Sequence, residues 1–241
     1  MPVIKHLRSM ISLALVLSLF GACHQINGNG PIVYKTRDLN GFNTIVSNLP
    51  TPVYITEGKD YEVTLEGQQN IIDLVETKLE DNRLTLNIKN GYSISGDIHL
   101  IVRIKSPNIQ GIISHGSGSI GVLNHFQCHS LSIKNSGSGN IEMEGFWSKQ
   151  LSVALTGSGN ITIRDGSTDK ASVMLTGSGY LMAPNLSSKN MALQLTGSGD
   201  ATTGSCDTLN ARIAGSGNIT YRGKPQLIQH LTGSGKFIHV P

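Results

Sequence analysis

The sequence predicts an all-β chain wound into a solenoid of parallel strands, and three observations carry that prediction. The tripeptide Gly-Ser-Gly occurs seven times, starting at Gly116, Gly137, Gly157, Gly177, Gly197, Gly215 and Gly233. The successive steps are 21, 20, 20, 20, 18 and 18 residues, a period typical of repeat architectures with one supersecondary unit per repeat. Apolar residues alternate with polar or small ones on both sides of the tripeptides, as in strands with one face inward. Every repeat keeps the same in-out phase, so like strands stack in parallel and the chain advances as a β-helix.

Taken in order, residues 1–22 read as a signal peptide. Lys5 and Arg8 precede an apolar run of 11 residues, Met10 to Phe20, too short to span a bilayer but suited to a secretory signal. The run ends in "LFGAC", which resembles the lipobox of bacterial lipoprotein precursors, although Phe20 stands where leucine is usual. That resemblance implies a lipidated Cys23 at the start of the mature chain. His24 follows it rather than the aspartate that retains some lipoproteins in the inner membrane, so an outer-membrane location is expected. Residues 23–30 are the lipidated cysteine and a short tether. Residues 31–241 form a single β-helical domain.

Within that domain, residues 31–110 are the irregular first coils and cap. The stretches "PVYITEG", "YEVTLEG", "RLTLNIKN" and "DIHLIVRIK" alternate cleanly between turn residues. The stretch "NIIDLVETKLED" (70–81) predicts one short helix, with Ile71, Ile72, Leu74, Val75 and Leu79 on one face and Asn70 capping its start. Residues 111–241 are the regular repeats. Two residues before the tripeptide stand Leu155, Leu175, Leu195, Ile213 and Leu231, while Ser114 and Asn135 break the column. Two after it stand Ile120, Ile141, Ile161, Leu181, Ala201, Ile219 and Phe237.

The tripeptides themselves are structural corners, where positive φ is cheap only for glycine. The paired corner glycines are Gly116 and Gly118, Gly137 and Gly139, Gly157 and Gly159, Gly177 and Gly179, Gly197 and Gly199, Gly215 and Gly217, and Gly233 and Gly235. Thr156, Thr176, Thr196 and Thr232 are expected to satisfy corner amides, and Asn140, Asn160 and Asn218 to brace the turn through their own backbone. Phe237 is expected to be buried against Leu231 and Ile219. Lys236, His239 and Pro241 blunt the last edge, so the protein is expected to be a monomer.

The stretches "GNG", "TRDLNGF", "VYITEG" and "NIIDLVETKLEDNRLTLNIKNGYS", together with the repeated "GSG", resemble the head GIN domain family of auto-transporter adhesins from about Gly28 to the C-terminus. The resemblance implies a right-handed β-helix on an exported, often lipid-anchored bacterial protein, and very little chemistry.

Composition agrees with that sparseness. Without Lys5 and Arg8 the 19 basic residues fall to 17, against 16 acidic ones, so there is no basic stripe to bind nucleic acid. Cys128 and Cys206 lie four coils apart, about 19 Å at the usual strand spacing, and a disulfide needs Cα atoms within about 7 Å. His125, Cys128 and His129 are zinc-ligand types without the second half of a zinc motif. The position after the tripeptide reads Ser119, Asn140, Asn160, Tyr180, Asp200, Asn218 and Lys236, which is no calcium ladder. No metal, cofactor or catalytic residue is assigned.

β-Helices also carry polysaccharide lyases and hydrolases, which need convergent carboxylates. Here the candidates are Glu142, Glu144, Asp165, Asp169, Asp200 and Asp207, scattered over several coils. The better candidate for a ligand surface is aromatic. Phe146-Trp147, in a loop between strands, with Tyr180 and Tyr221 near later corners, suits a surface glycan or an envelope protein. The function expected is non-catalytic adhesion, binding or scaffolding in the envelope, with the polysaccharide-active enzyme as the alternative.

Overall fold

The structure, a computed structural model, describes residues 24–241. The signal segment and Cys23 lie outside the described residues. The first strand, β1 (His24–Asn27), pairs in parallel with β8 (Tyr92–Ser95). Half of the expected tether is therefore strand, because Asn70 hydrogen-bonds both the Asn27 carbonyl and the Asn29 amide and fixes the segment. After β2 (Ile32–Arg37) come β3 (Thr44–Ser47) and β4 (Val53–Glu57), with a corner at residues 48–51 between them. β5 (Glu62–Gln68) leads into the helix α1 (Gln69–Ile72), and β6 (Val75–Glu80) and β7 (Arg83–Ile88) form an antiparallel hairpin.

The helix expected over 70–81 thus stops at Ile72. Val75, Thr77 and Leu79 face one way with Glu76, Lys78 and Glu80 the other, a period of two that pairs with β7 and overrides the helical pattern. Asp81 and Asn82 carry φ of 48° and 59°, a pair of left-handed residues that suits a two-residue hairpin turn. Asn70 is not the cap, since its side chain is spent on the Asn27 and Asn29 backbone.

β9 (Leu100–Ser106) pairs antiparallel with β5 and parallel with β4. β10 (Gly111–Ser114) stacks in parallel between β3 and the end of β11 (Ile120–Asn135). From there every pairing is parallel, through β12 (Ile141–Gly157), β13 (Ile161–Gly177), β14 (Leu181–Ala183), β15 (Leu186–Gly197), β16 (Ala201–Gly215), β17 (Ile219–Arg222), β18 (Gln226–Gly233) and β19 (Phe237–Val240). This is the all-β solenoid expected, and 17 of the strands form one continuous sheet.

Each full coil has three sides. Between β12 and β13 pairing lapses only at Glu144 opposite Arg164 and at Lys149 opposite Asp169, which mark the bends. Charged side chains cross between coils there, with Arg164 Nε 3.1 Å from Glu144 Oε1 and Lys189 Nζ 2.7 Å from Asp169 Oδ1. Inward residues of like position stack into the core, as in Ile141, Ile161 and Leu181, or Val153, Val173 and Leu193. Each such side chain contributes about 1.5–3 kcal/mol by leaving water.

The corners use their two glycines differently. Gly177 has φ of 113°, and its carbonyl accepts the amides of Ser198 and Gly199 in the next coil, both at 3.0 Å. Gly179 does not need a positive φ. A Cβ built on it would fall on the carbonyl oxygen of Gly159 in the preceding coil, so backbone stacking is what demands glycine there.

Corner amides are satisfied by these carbonyls rather than by threonine. Thr156, Thr176 and Thr232 are exposed. The asparagines brace the neighbouring coil, not their own backbone. Asn140 Oδ1 accepts the Asn160 amide, and Asn160 Oδ1 accepts the Tyr180 amide, both at 3.1 Å. Phe237 is only partly buried and Leu231 is 50% exposed, because among the described residues no further coil covers them.

Candidate ligand-binding trough

The middle side of the coil begins in β11. On its outer edge β11 pairs with β4 over Ile120–Val122 and with β10 over Ser132–Asn135. Between those contacts, His125 to Ser130 have β12 as their one strand partner among the described residues. The chain leaves the coil at Glu57, the last residue of β4, instead of running beneath this side. The Asn124 side chain clamps that exit, accepting the Glu57 amide at 2.9 Å and donating to the Glu57 carbonyl at 3.0 Å. The clamp coincides with a register shift between Val122 and His125, the kind of irregularity that re-aims side chains.

A trough of about 610 Å³ results, lined by Glu57, His125, Gln127, Trp147, Asp165 and Ser167 among others. Its volume falls in the usual range for small-ligand sites. Phe126 and Phe146 are buried beneath it with ring centroids 6.5 Å apart. They turn inward, so the next residues along each strand, Gln127 and Trp147, turn out. Trp147 lies between Gln127 and Ser167 in the stack and is 45% exposed. His125 Nε2 is 3.3 Å from Asp165 Oδ2 along one rim. On the other, desolvation raises the pKa of Glu57 above its ordinary value, opposed by the hydrogen bond from the Gln127 amide.

Of the three aromatic residues expected to form a surface, only Trp147 lies here. Phe146-Trp147 is inside β12 rather than in a loop, because its neighbours alternate in and out without a break. Tyr180 sits at a corner, and the position equivalent to Trp147 in its coil is Ser187. Tyr221 lies in β17, its ring 5.4 Å from that of His239.

The stretch from His125 to His129 is likewise strand. Cys128 points inward and is buried, while His125 and His129 are exposed on the outer face, so the three do not converge. No group of three or more metal-ligand side chains occurs among the described residues. Burial pushes the Cys128 thiol up to about 11, with the Glu57 charge adding to the effect. The register places Ser148, Thr168 and Ser188 between Cys128 and Cys206, and both cysteines are free.

Three of the six candidate carboxylates in the repeats pair with arginine or lysine. Glu142 and Glu144 share Arg164, and Asp169 holds Lys189. Glu57, Gln127 and Ser167 carried no signal in the sequence. The repeat alignment ignores Glu57 altogether, and Gln127 and Ser167 look like ordinary outward positions.

Residues 41–225 match the family model described as "Putative auto-transporter adhesin, head GIN domain". No curated protein matches the chain significantly. Among solved structures, a putative adhesin from Bacteroides fragilis superposes with a TM-score of 0.84 at 23% identity, covering 89% of this chain and 100% of its own. A putative lipid binding protein from Parabacteroides distasonis gives a TM-score of 0.73 at 23% identity, over 90% of this chain and 100% of its own. A putative adhesin from Parabacteroides merdae gives 0.73 at 21% identity over the same shares. At such identities the likeness is one of fold.

Proposed function

Because the chain belongs to the head GIN domain family, we propose that it is an exported envelope protein that binds a glycan without transforming it. A lipid on Cys23 would anchor it, in the outer membrane, since His24 follows the cysteine. The observation that carries the reading is Trp147, a large aromatic left half in water above a trough with polar rims. A pyranose has apolar C–H faces and a hydroxyl perimeter. An indole offers the first a flat partner, while Gln127, Ser167 and the rim carboxylates offer the second hydrogen bonds. Acyl chains have no use for such rims, which favours a sugar over a lipid.

The test is capture on a broad glycan array by the wild-type protein and by Trp147→Ala. Binding that depends on Trp147 supports the reading, and equal capture by both overturns it. Anchoring is tested separately, by loss of detergent-phase partitioning in Cys23→Ala. The enzymatic alternative rests on Glu57 and Asp165 sharing the trough. Release of new reducing ends or unsaturated products from the captured glycan would establish it.

A further inference from the structure

Four acidic side chains of the described residues are partly buried: Glu57, Glu66, Glu144 and Asp169. Three of them have a cation within 4 Å. Glu66 holds His99 and Arg103, Glu144 holds Arg164, and Asp169 holds Lys189. Glu57 has none. The Gln127 amide is the one group that lowers its pKa, and Glu57 lines the trough, so the carboxylate keeps acceptor capacity for a ligand there. A carboxylate withdrawn from water without a counter-charge is costly, and an entering cation relieves that cost. Across the trough Asp165 has His125 as its one ion-pair partner among the described residues, and both side chains are largely exposed. The indole face of Trp147 adds a quadrupole that attracts ammonium groups. Three features of one cavity therefore favour positive charge, and no lysine or arginine lines it.

We propose that the trough selects a pyranose bearing a free ammonium group, that is, an unacetylated amino sugar within a polysaccharide. The ring lies on Trp147, and Glu57 takes the ammonium as the counter-ion this carboxylate lacks. Asp165 and Ser167 accept or donate at the hydroxyls. This ligand class rests on the glycan-binding reading, and the experiment separates the two.

Isothermal titration at neutral pH would compare a β-linked glucosamine hexamer with its fully N-acetylated counterpart. The glucosamine oligomer should bind at least about tenfold more tightly, which corresponds to about 1.4 kcal/mol. Glu57→Gln should abolish that preference, bringing the two oligomers to the same affinity, and Trp147→Ala should weaken the binding of both. Unfolding of Glu57→Gln, monitored in parallel, should show no loss of stability, since the variant removes an unpaired charge. Equal affinity for the two oligomers, or a preference that survives Glu57→Gln, overturns the inference and leaves the glycan reading intact. An oligolysine that binds as tightly as the glucosamine oligomer overturns it too, by moving the ligand to a basic peptide. Failure of both sugars to bind overturns the reading and the inference together.

Discussion

In the regular coils a residue's neighbour is its own counterpart one turn away. Leu155 lies between Asn135 and Leu175, Ser152 between Ser132 and Ser172, and Gly177 between Gly157 and Gly197. In the region before residue 110 the neighbours are strangers. Thr64 sits between Thr36 and Arg103, and Glu66 between Tyr34 and Ile101, on strands that run in opposite directions. One region is specified by a rule copied turn after turn, the other by individual fits. The trough lies where they meet, with Glu57 supplied by the second and Trp147 by the first. A periodic wall has little room for an exception, because a side chain that suits one coil must tolerate the same position in the next. At the seam the wall has only one neighbour, and unlike groups can collect.

The strictness of the copied rule is open to direct attack. Gly179→Val should destabilise the protein by more than about 3 kcal/mol, since the new side chain meets stacked backbone that cannot retreat. Ser178→Ala, one residue away, should stay within about 0.5 kcal/mol. Chemical denaturation measures both, and a tolerated valine would mean that the corners do not need close stacking.

The first corners of the repeat sharpen the contrast. Where the column residue is Leu or Ile, the first glycine takes positive φ, as at Gly157, Gly177, Gly197, Gly215 and Gly233. Where it is Ser114 or Asn135, Gly116 and Gly137 do not. Asn135 is buried, donates to the Gly139 carbonyl at 2.7 Å and accepts the Gly137 amide at 3.2 Å. Asn135→Ala should cost about 1–3 kcal/mol, the range for stranding buried backbone groups. Asn135→Leu should recover part of that loss if the corner can convert to the later geometry. The same unfolding curves decide.

Two carboxylates of the irregular region, one at the seam and one away from it, should respond to pH with opposite signs. The pKa of Glu66 is lowered, first by its hydrogen bond from His99 and then by Arg103. Its contribution to stability is present above the unfolded value near 4.5 and is lost as pH falls through the lower folded value. The Glu57 pKa is raised by desolvation, so its contribution favours folding in acid and is lost as pH rises from 4.5 through the higher folded value. Thus Glu66→Gln should lower stability at neutral pH, whereas Glu57→Gln should raise it slightly, and neither should matter in strong acid. Melting temperature against pH for the two variants would show whether the signs differ. The smallest effect is chemical. With burial holding its thiol near 11, Cys128 should resist alkylation in the native protein and react once unfolded, as mass spectrometry would read.

How far the sequence disclosed these features depends on repetition. Seven aligned tripeptides made the coil legible, together with its inward columns and the separation of Cys128 from Cys206, because each position was sampled several times. The second strand of the hairpin, Arg83–Ile88, is legible, but the first, Val75–Glu80, reads as helix, since a single stretch with Ile71, Ile72, Leu74, Val75 and Leu79 satisfies a helical period as well as a strand. Only pairing with Leu84 and Leu86 settles it. Trp147 was legible as an exposed aromatic, but its partners were not. Glu57 reaches the trough through a chain exit and an Asn124 clamp, which arise from tertiary placement and leave no periodic trace.

The corner carbonyls have a consequence for how such a chain can change length. The Gly177 oxygen receives Ser198 and Gly199, and the Gly197 oxygen receives Ser216 and Gly217, through the same pair of amides. Excising residues 198–215 would bring Ser216 to the place of Ser198 with every bond type preserved, whereas losing one residue would turn each following side chain to the wrong face. Length in this molecule is therefore counted in whole turns, much as a spiral staircase is shortened only by the flight. The trough is lined by residues up to Ser187, so whole turns beyond it could be added or removed while the trough itself stays unchanged.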